Sequence, residues 1–498
     1  FSWIEMLRDE ETVGLHAALT PTWSETAWFA DYVLPMGFSS ERHDLMSQET
    51  YAGKWIGFRQ PVARVLRERA GEKFDYTYQA NPGEVWEEDE FWINLSWAID
   101  RDGSMGIRKW FESPYRPGQK LTVDEYYGWM FENSVPGLPE AAAKEGMKPL
   151  EYMRKYGAFE ITTDVHRQNE KPIAPADLSD SQVDPNGVIK KNRKAVGVMV
   201  AGKPMVGYNT PSRKLEIFSK TMADWKWPEF ALPEYYRSHI HRSAHAASLG
   251  NPTADFDPQY MPRVEWPKDA RGDVYTLLPI FRLPNLIHTR SGNAKFLYEI
   301  SHKNPLCVNP VDARKLGDIH TGDLLKVHTE IGYFVLHAWV TEGLTPGVVA
   351  CSHHLGRWRL NKDEQIERMS SAWVDLKEVG KGQWKMRPLS SVAPYESPDA
   401  DTQRVWWSDA GVHQNLTFPV HPDPISGMHC WHQLVRVERA ATDDRYGDIF
   451  VDTNLSFAVY QRWKALTRPA PGPEGLRRPL WMPRVHRPED AAFYMKQD

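Results

Sequence analysis

Residues 309–327 read NPVDARKLGDIHTGDLLKV, with two Gly-Asp pairs set five residues apart between a short helix and an apolar strand. CVNP before it reads as a short strand, and Asp312 to Leu316 is long enough for little more than one helical turn. Gly317 supplies the left-handed residue that stops this turn, and DIHTGD brings the chain back tightly. LLKVHTE then runs as a strand, IGY turns it, FVLHAWVTEG returns with alternating character, and TPGVVACS follows as another strand. Short strands joined by glycine turns around one small helix predict a closed barrel rather than an open sheet. In that frame the Gly-Asp pairs are corners: Gly gives backbone freedom and Asp makes local backbone hydrogen bonds.

Outward from this stretch, 498 residues are more than one core normally organises. The chain is 41% hydrophobic and has no apolar run near membrane-spanning length, which predicts a soluble protein that meets a membrane only through a partner. Sixty Lys and Arg against 66 Asp and Glu make no basic field, so nucleic acid is not expected as a ligand. Cys307, Cys351 and Cys430 lie too far apart for a CxxC motif, and their odd number argues against a disulfide framework. The start, FSWIEML, shows neither an initiator Met nor a leader peptide and is expected to lie inside a longer polypeptide.

The predicted fold class is α/β plus β. Residues 1–60, with TPTWSETAWFADYVLPMG, read as a capped short helix and an apolar strand, the end of an α/β domain. Residues 61–270 read as helical and loop-rich, with amphipathic helices in PVARVLRERAGEKFD and EVWEEDEFWINLSWAID. Residues 271–440 are the β-barrel. Residues 441–498 carry too many prolines for regular structure and read as a wrapping tail.

The order of motifs resembles the carboxyl-terminal part of the large subunit of molybdopterin oxidoreductases of the dimethyl-sulfoxide-reductase superfamily. SETAWFADYVLP and SSERHD (39–44) resemble that family's ETA-x-x-AD-x-VLP and E-x-x-D elements. NTPSRKLEIFS (209–219) resembles its TPSGK-x-E segment, with Arg213 where Gly is usual. HTRSGN (288–293), NPVDARKLGDIHTGD, VTEGLTPGVV and NLT…DPISG (415–427) resemble successive parts of its final dinucleotide-binding barrel. The resemblance implies a barrel of double-psi type and two molybdopterin guanine dinucleotides carrying molybdenum or tungsten. It also implies an iron–sulfur cluster and the metal's protein ligand in an amino-terminal part of the same subunit. The partners it implies are an iron–sulfur electron-transfer subunit and a membrane-anchor subunit. Formate dehydrogenases and reductases of sulfur or arsenic oxyanions are the nearest in motif style.

A guanine dinucleotide offers a diphosphate, ribose hydroxyls, a purine edge and a pterin rich in donors and acceptors. FRLPNLIHTRSGN (281–293) gathers Arg282, His288, Thr289, Arg290, Ser291 and Asn293 around Gly292, a composition that serves either a solvated loop or an anion site; the resemblance favours binding. Arg290, whose fork bonds anionic or planar oxygen groups in pairs, is the natural cation there. In CSHHLGRW (351–358), the adjacent His353 and His354 are not read as a metal site. In a strand they would face opposite ways, and no nearby Cys or carboxylate pair completes a set. One of them pointing inward as a donor to a cofactor, beside Gly356 where backbone approaches closely, is the preferred reading. Asn415 is an amide able to read a nucleobase or pterin edge, and Trp431 is a ring to pack on one. Cys351 and Cys430 read as core thiols. No catalytic residue and no metal ligand is assigned.

Two other readings are kept: a cofactor-free relative in a respiratory complex, and an unrelated β-barrel recognition module. The second leaves ADYVLP and TPSRKLE unexplained, and the first leaves buried polar groups without a ligand. If 288–293 binds the cofactor, Arg290→Ala weakens its retention by roughly 1.5–3 kcal/mol, against well under one for Lys295→Ala in the neighbouring KFLYEI run. Measuring cofactor occupancy in the two purified variants checks this, and equal occupancy would make the loop a surface feature.

Overall fold

The computed structural model describes residues 1–22, 24–46, 54–161, 165–224, 231–233, 240, 264–279, 303–360, 371–389, 411–421, 431–465, 467–469 and 477–479. The chain forms two compact units, one of residues 1–16, 22–31 and 217–495, the other of 17–21, 32–216 and 496–498.

The first unit holds β1 (Asp273–Leu278), β2 (Leu306–Val308), α1 (Pro310–Lys315), β3 (Leu324–His328), β4 (Gly332–Val340), β5 (Val348–Ala350), β6 (Trp358–Arg359), β7 (Ala372–Gly380), β8 (Gln383–Pro388), β9 (Gln433–Arg439), β10 (Ile449–Asp452) and α2 (Thr453–Ala465). Six of these strands close on themselves in the order β2-β5-β1-β9-β3-β4 and back to β2. The closing ladder is parallel, Leu306 opposite Ala338 and Val308 opposite Val340. β1 and β5 are also parallel, whereas the other four pairings are antiparallel. The predicted closed barrel is therefore present. Its core is built from Leu277, Leu306, Leu325, Phe334, Leu336 and Val435, all fully buried. Each such side chain contributes about 1.5–3 kcal/mol relative to an exposed one. β4 is long enough to pair at its start with β10 as well, and β8, β7 and β6 extend the sheet from there.

The opening motif behaves as its composition predicts. Asn309 accepts the Val311 N–H and donates to Leu344 O at 2.7 Å, so it caps α1 and pins the turn before β5. Asp312, buried, accepts the Gly347 N–H at 2.5 Å. Gly317 and Gly322 take φ of 91° and 99°, and Asp323 accepts the His320 N–H at 2.9 Å and an Arg439 N–H at 3.1 Å. The glycines make the corners, Asp323 holds the second by hydrogen bonds, and Asp318 itself takes a left-handed φ of 55°.

The expected tail needs correction over 449–465, where β10 joins β4 and β8 and α2 follows. These residues carry no proline; the prolines begin at Pro469, so helix and ladder are both open to this segment. α2 is tied back by Arg462, which donates to Glu330 Oε1 at 2.6 Å. Glu330 also accepts from Glu265 N–H at 2.9 Å and pairs with His421 Nε2 at 2.6 Å, with both side chains buried. Removing that carboxylate takes the acceptor from three donors at once. Glu330→Ala is expected to cost roughly 3–5 kcal/mol, read as a loss in the denaturation midpoint of this unit.

In the second unit, Ala17–Thr20 runs parallel to Tyr32–Pro35. The short helix expected between them is a single 3-10 turn, Thr26–Phe29, and it belongs to the barrel unit. Helices at 88–99, 123–134 and 149–156 bury Ile93, Phe131 and Met153 in a common core with Phe58. The reading of 61–270 as only helical and loop-rich fails at 182–205, which forms a four-stranded antiparallel sheet. Its central turn is Asn192-Arg193, both at positive φ (51° and 65°), a conformation Asn adopts readily and Arg rarely signals. Arg213, standing where the family has Gly, also takes a left-handed φ of 58°; its guanidinium donates twice to Ala195 O, at 3.0 and 2.6 Å, offsetting the strain.

Glu90 accepts three backbone N–H groups (Thr77, Tyr78 and Glu87), yet burial, with the Glu87 charge adding to it, pushes its carboxyl up to about 7. A carboxyl raised above its unfolded value favours the fold while protonated. This unit should therefore lose stability as pH rises from about 4.5 through 7. Thermal midpoints across that range test this, and Glu90→Gln should flatten the slope.

Candidate functional site

β5 delivers the chain into the CSHHLGRW loop. Cys351 is fully buried, and its thiol donates to Asn304 O at 3.4 Å. Burial pushes this thiol well up and that of Cys307 to about 11, so both are core groups rather than nucleophiles. Past Ser352 the backbone has left strand geometry, and here the expected alternation fails: the His353 and His354 rings lie 4.0 Å apart, on the same side. Alternation holds only while φ/ψ stay extended, and the bend at 353–354 ends it. His354 is buried with Nδ1 3.2 Å from Ser352 Oγ, and His353 donates from Nδ1 to Pro279 O at 3.0 Å. Among the described residues no group of His, Cys, Asp and Glu is arranged to hold a metal ion.

A second loop, 411–418, lies against the first. Asn304, just before β2, joins them: its amide donates to Ser352 O and Val412 O and accepts the Val412 N–H, each at 2.8 Å. Gly356 takes φ of 95°, and a Cβ there would stand 2.0 Å from His413 N, so no other residue fits this crossing. Trp358 donates from its indole to His413 Nδ1 at 3.2 Å. An indole only donates, so the imidazole accepts, and burial, which lowers the His413 pKa, keeps it in the neutral form that can.

Gln414–Thr417 is a 3-10 turn fastened at both ends. Gln414 donates to Cys351 O at 2.9 Å, and Thr329 donates to Thr417 O at 2.6 Å. Among the described residues, two acceptors in this turn, Gln414 Oε1 and Asn415 Oδ1, are buried with no hydrogen-bond partner. Trp431, half exposed, has its ring 5.7 Å from that of His353. The structure thus gathers His353, His354, Gly356 and Asn415 on two adjoining loops, with the Trp431 ring beside His353. Arg282, His288, Thr289, Arg290, Ser291 and Asn293 lie outside the described residues, as do Lys295 and Cys430. Asn304, Gln414 and His413 escaped the sequence reading. Gln414 carried the same amide signal as its neighbour Asn415, but nothing local marked Asn304.

The family described as Molydopterin dinucleotide binding domain matches residues 280–375. Dimethyl sulfoxide reductase DmsA of Escherichia coli (strain K12) is 30% identical over 154 residues, 30% of this chain and 16% of that protein. The arsenate respiratory reductase molybdopterin-containing subunit ArrA of Chrysiogenes arsenatis is 29% identical over 168 residues, 31% of this chain and 19% of its own. The matches therefore span less than a fifth of each relative's length. Acetylene hydratase from Pelobacter acetylenicus superposes with a TM-score of 0.44 at 15% identity, over 84% of this chain and 39% of that one, a likeness too loose to argue from. On the ordered motifs and the matched domain, the chain is similar to the carboxyl-terminal part of the large subunit of molybdopterin oxidoreductases of the dimethyl-sulfoxide-reductase superfamily.

Proposed function

We propose that this chain holds molybdopterin guanine dinucleotide for the catalytic subunit of a molybdenum or tungsten oxidoreductase that carries two such groups. The observation that carries this reading is the pair of orphaned carbonyl oxygens on Gln414 and Asn415. A buried acceptor without a donor costs about 1–3 kcal/mol, and two side by side in one fastened turn suit a ligand edge rich in N–H groups. Guanine and pterin both present such an edge. The Gly356 crossing keeps the neighbouring backbone bare of side chain, His353 and Trp431 offer ring surface, and Arg290 is the cation for the diphosphate. The same orphaned oxygens speak against a cofactor-free relative.

When bound, the metal of such a cofactor supplies two-electron chemistry with oxygen-atom or proton transfer. This chain's residues bind and orient the dinucleotide, and none is assigned to the reacting atoms. The metal's protein ligand and an iron–sulfur cluster are assigned to the amino-terminal part of the same subunit, and an iron–sulfur subunit and a membrane anchor are proposed as partners. No helix among the described residues is long and apolar enough to cross a membrane. Of the substrate classes the motifs leave open, the names of the relatives favour a reductase of a small oxide or oxyanion over a formate dehydrogenase.

The purified complex is expected to contain molybdenum or tungsten and to release two guanine nucleotides per metal atom on acid treatment. Elemental analysis with nucleotide chromatography measures both. A preparation with neither metal nor nucleotide would return the chain to the cofactor-free class.

A further inference from the structure

The geometry points to Glu25, in the SETAWFAD segment, as a positioning residue for the dinucleotide site, acting through Trp358 and His413 on the Gln414–Asn415 turn. This rests on the function proposed above and extends it to a residue 332 positions upstream of Arg357, its ion-pair partner.

Glu25 Oε1 accepts from Arg357 Nε at 2.6 Å and, more weakly, from the Trp358 N–H at 3.3 Å, in a pair whose side chains are both largely buried. Phe29 of the same segment meets the Trp358 ring edge-on, with centroids 6.5 Å apart. Trp358 is thereby held at its backbone by Glu25 and at its ring by Phe29, and its indole N–H is aimed at His413. His413 directly precedes the two amides whose oxygens lack partners.

The turn is consequently held from two sides. Asn304 fixes the backbone of Val412, and Trp358 fixes the side chain of His413. The Gln414–Cys351 and Thr329–Thr417 bonds hold the body of the turn, and these two attachments at Val412 and His413 set how the chain enters it, and with that the direction in which the Asn415 oxygen faces. Glu25 also neutralises Arg357 within the loop that approaches the neutral His413, where an uncompensated cation would be costly. A role in folding alone would need the ion pair but not the indole bond, and this separates the two explanations.

The test uses the full-length complex and follows loss of guanine nucleotide during dilution, alongside the thermal midpoint. Trp358→Phe keeps an aromatic ring and the backbone N–H but removes the indole donor together with part of a buried ring, so it lowers the midpoint as well. It should release nucleotide about tenfold faster, the effect of one hydrogen bond of ordinary strength, and faster than a variant of equal midpoint loss elsewhere in the core, such as Leu325→Ala. Glu25→Ala should release it at least as fast and also lower the midpoint. Glu25→Gln, which keeps an acceptor for both donors, should recover much of the retention. The double variant Glu25→Ala/Trp358→Phe should be no faster than Glu25→Ala, because both act through one connection. A wild type that yields no guanine nucleotide would sink the functional reading and this inference together. A loaded wild type with an equally retentive Trp358→Phe, or additive effects in the double variant, would overturn the positioning role alone.

Discussion

The parallel ladder between Leu306–Val308 and Ala338–Val340 is the contact on which the barrel unit depends. It is only three residues long, yet it turns six strands into a ring and so leaves none of those six as a free edge. Because it closes on the end of β4, it fixes where β2 begins. Asn304, two residues before β2, is carried to the place where it can bond Ser352 and Val412 at once. The loops that follow β5 and precede β9 are far apart in sequence. They meet because the ring has brought their ends together, and Asn304 then holds them.

Two kinds of buried polar group result from this closure. Glu330 is fully engaged, with a helix arginine, a backbone N–H and a histidine all turned to its carboxylate. Such a group holds structure and has nothing left for a ligand. Gln414 and Asn415 are placed differently: their turn is fastened by Cys351, Thr417 and Thr329, but their own carbonyl oxygens are spared. Neutral amides suit the proposed dinucleotide, since they read a donor-rich edge without the desolvation cost of a charge.

Much of the barrel was legible in NPVDARKLGDIHTGDLLKV and the strands after it, because turns and alternating strands are local properties. Gly317, Gly322 and Asp323 do what their side chains, or lack of them, dictate wherever the chain goes. The polar character of HHLG and QNLT was legible for the same reason, and the ordered motifs carried the family resemblance. The strands at 182–205 were missed because their turn uses Asn192-Arg193, and Arg gives no warning of a left-handed backbone. The strand at 449–452 was hidden under an expectation set by prolines that begin only later.

Alone, the sequence determined the corners, the strands next to NPVDARKLGDIHTGDLLKV and the polar character of the loops. Only the tertiary structure decided that His353 and His354 share a side, that Gly356 crosses His413, and that Gln414 and Asn415 are left with unpaired oxygens. The physical reason is that pairing is a property of two places. Whether a polar atom is satisfied depends on what the closed ring brings within about 3 Å of it, and partners such as Asn304 and Val412 are 108 residues apart.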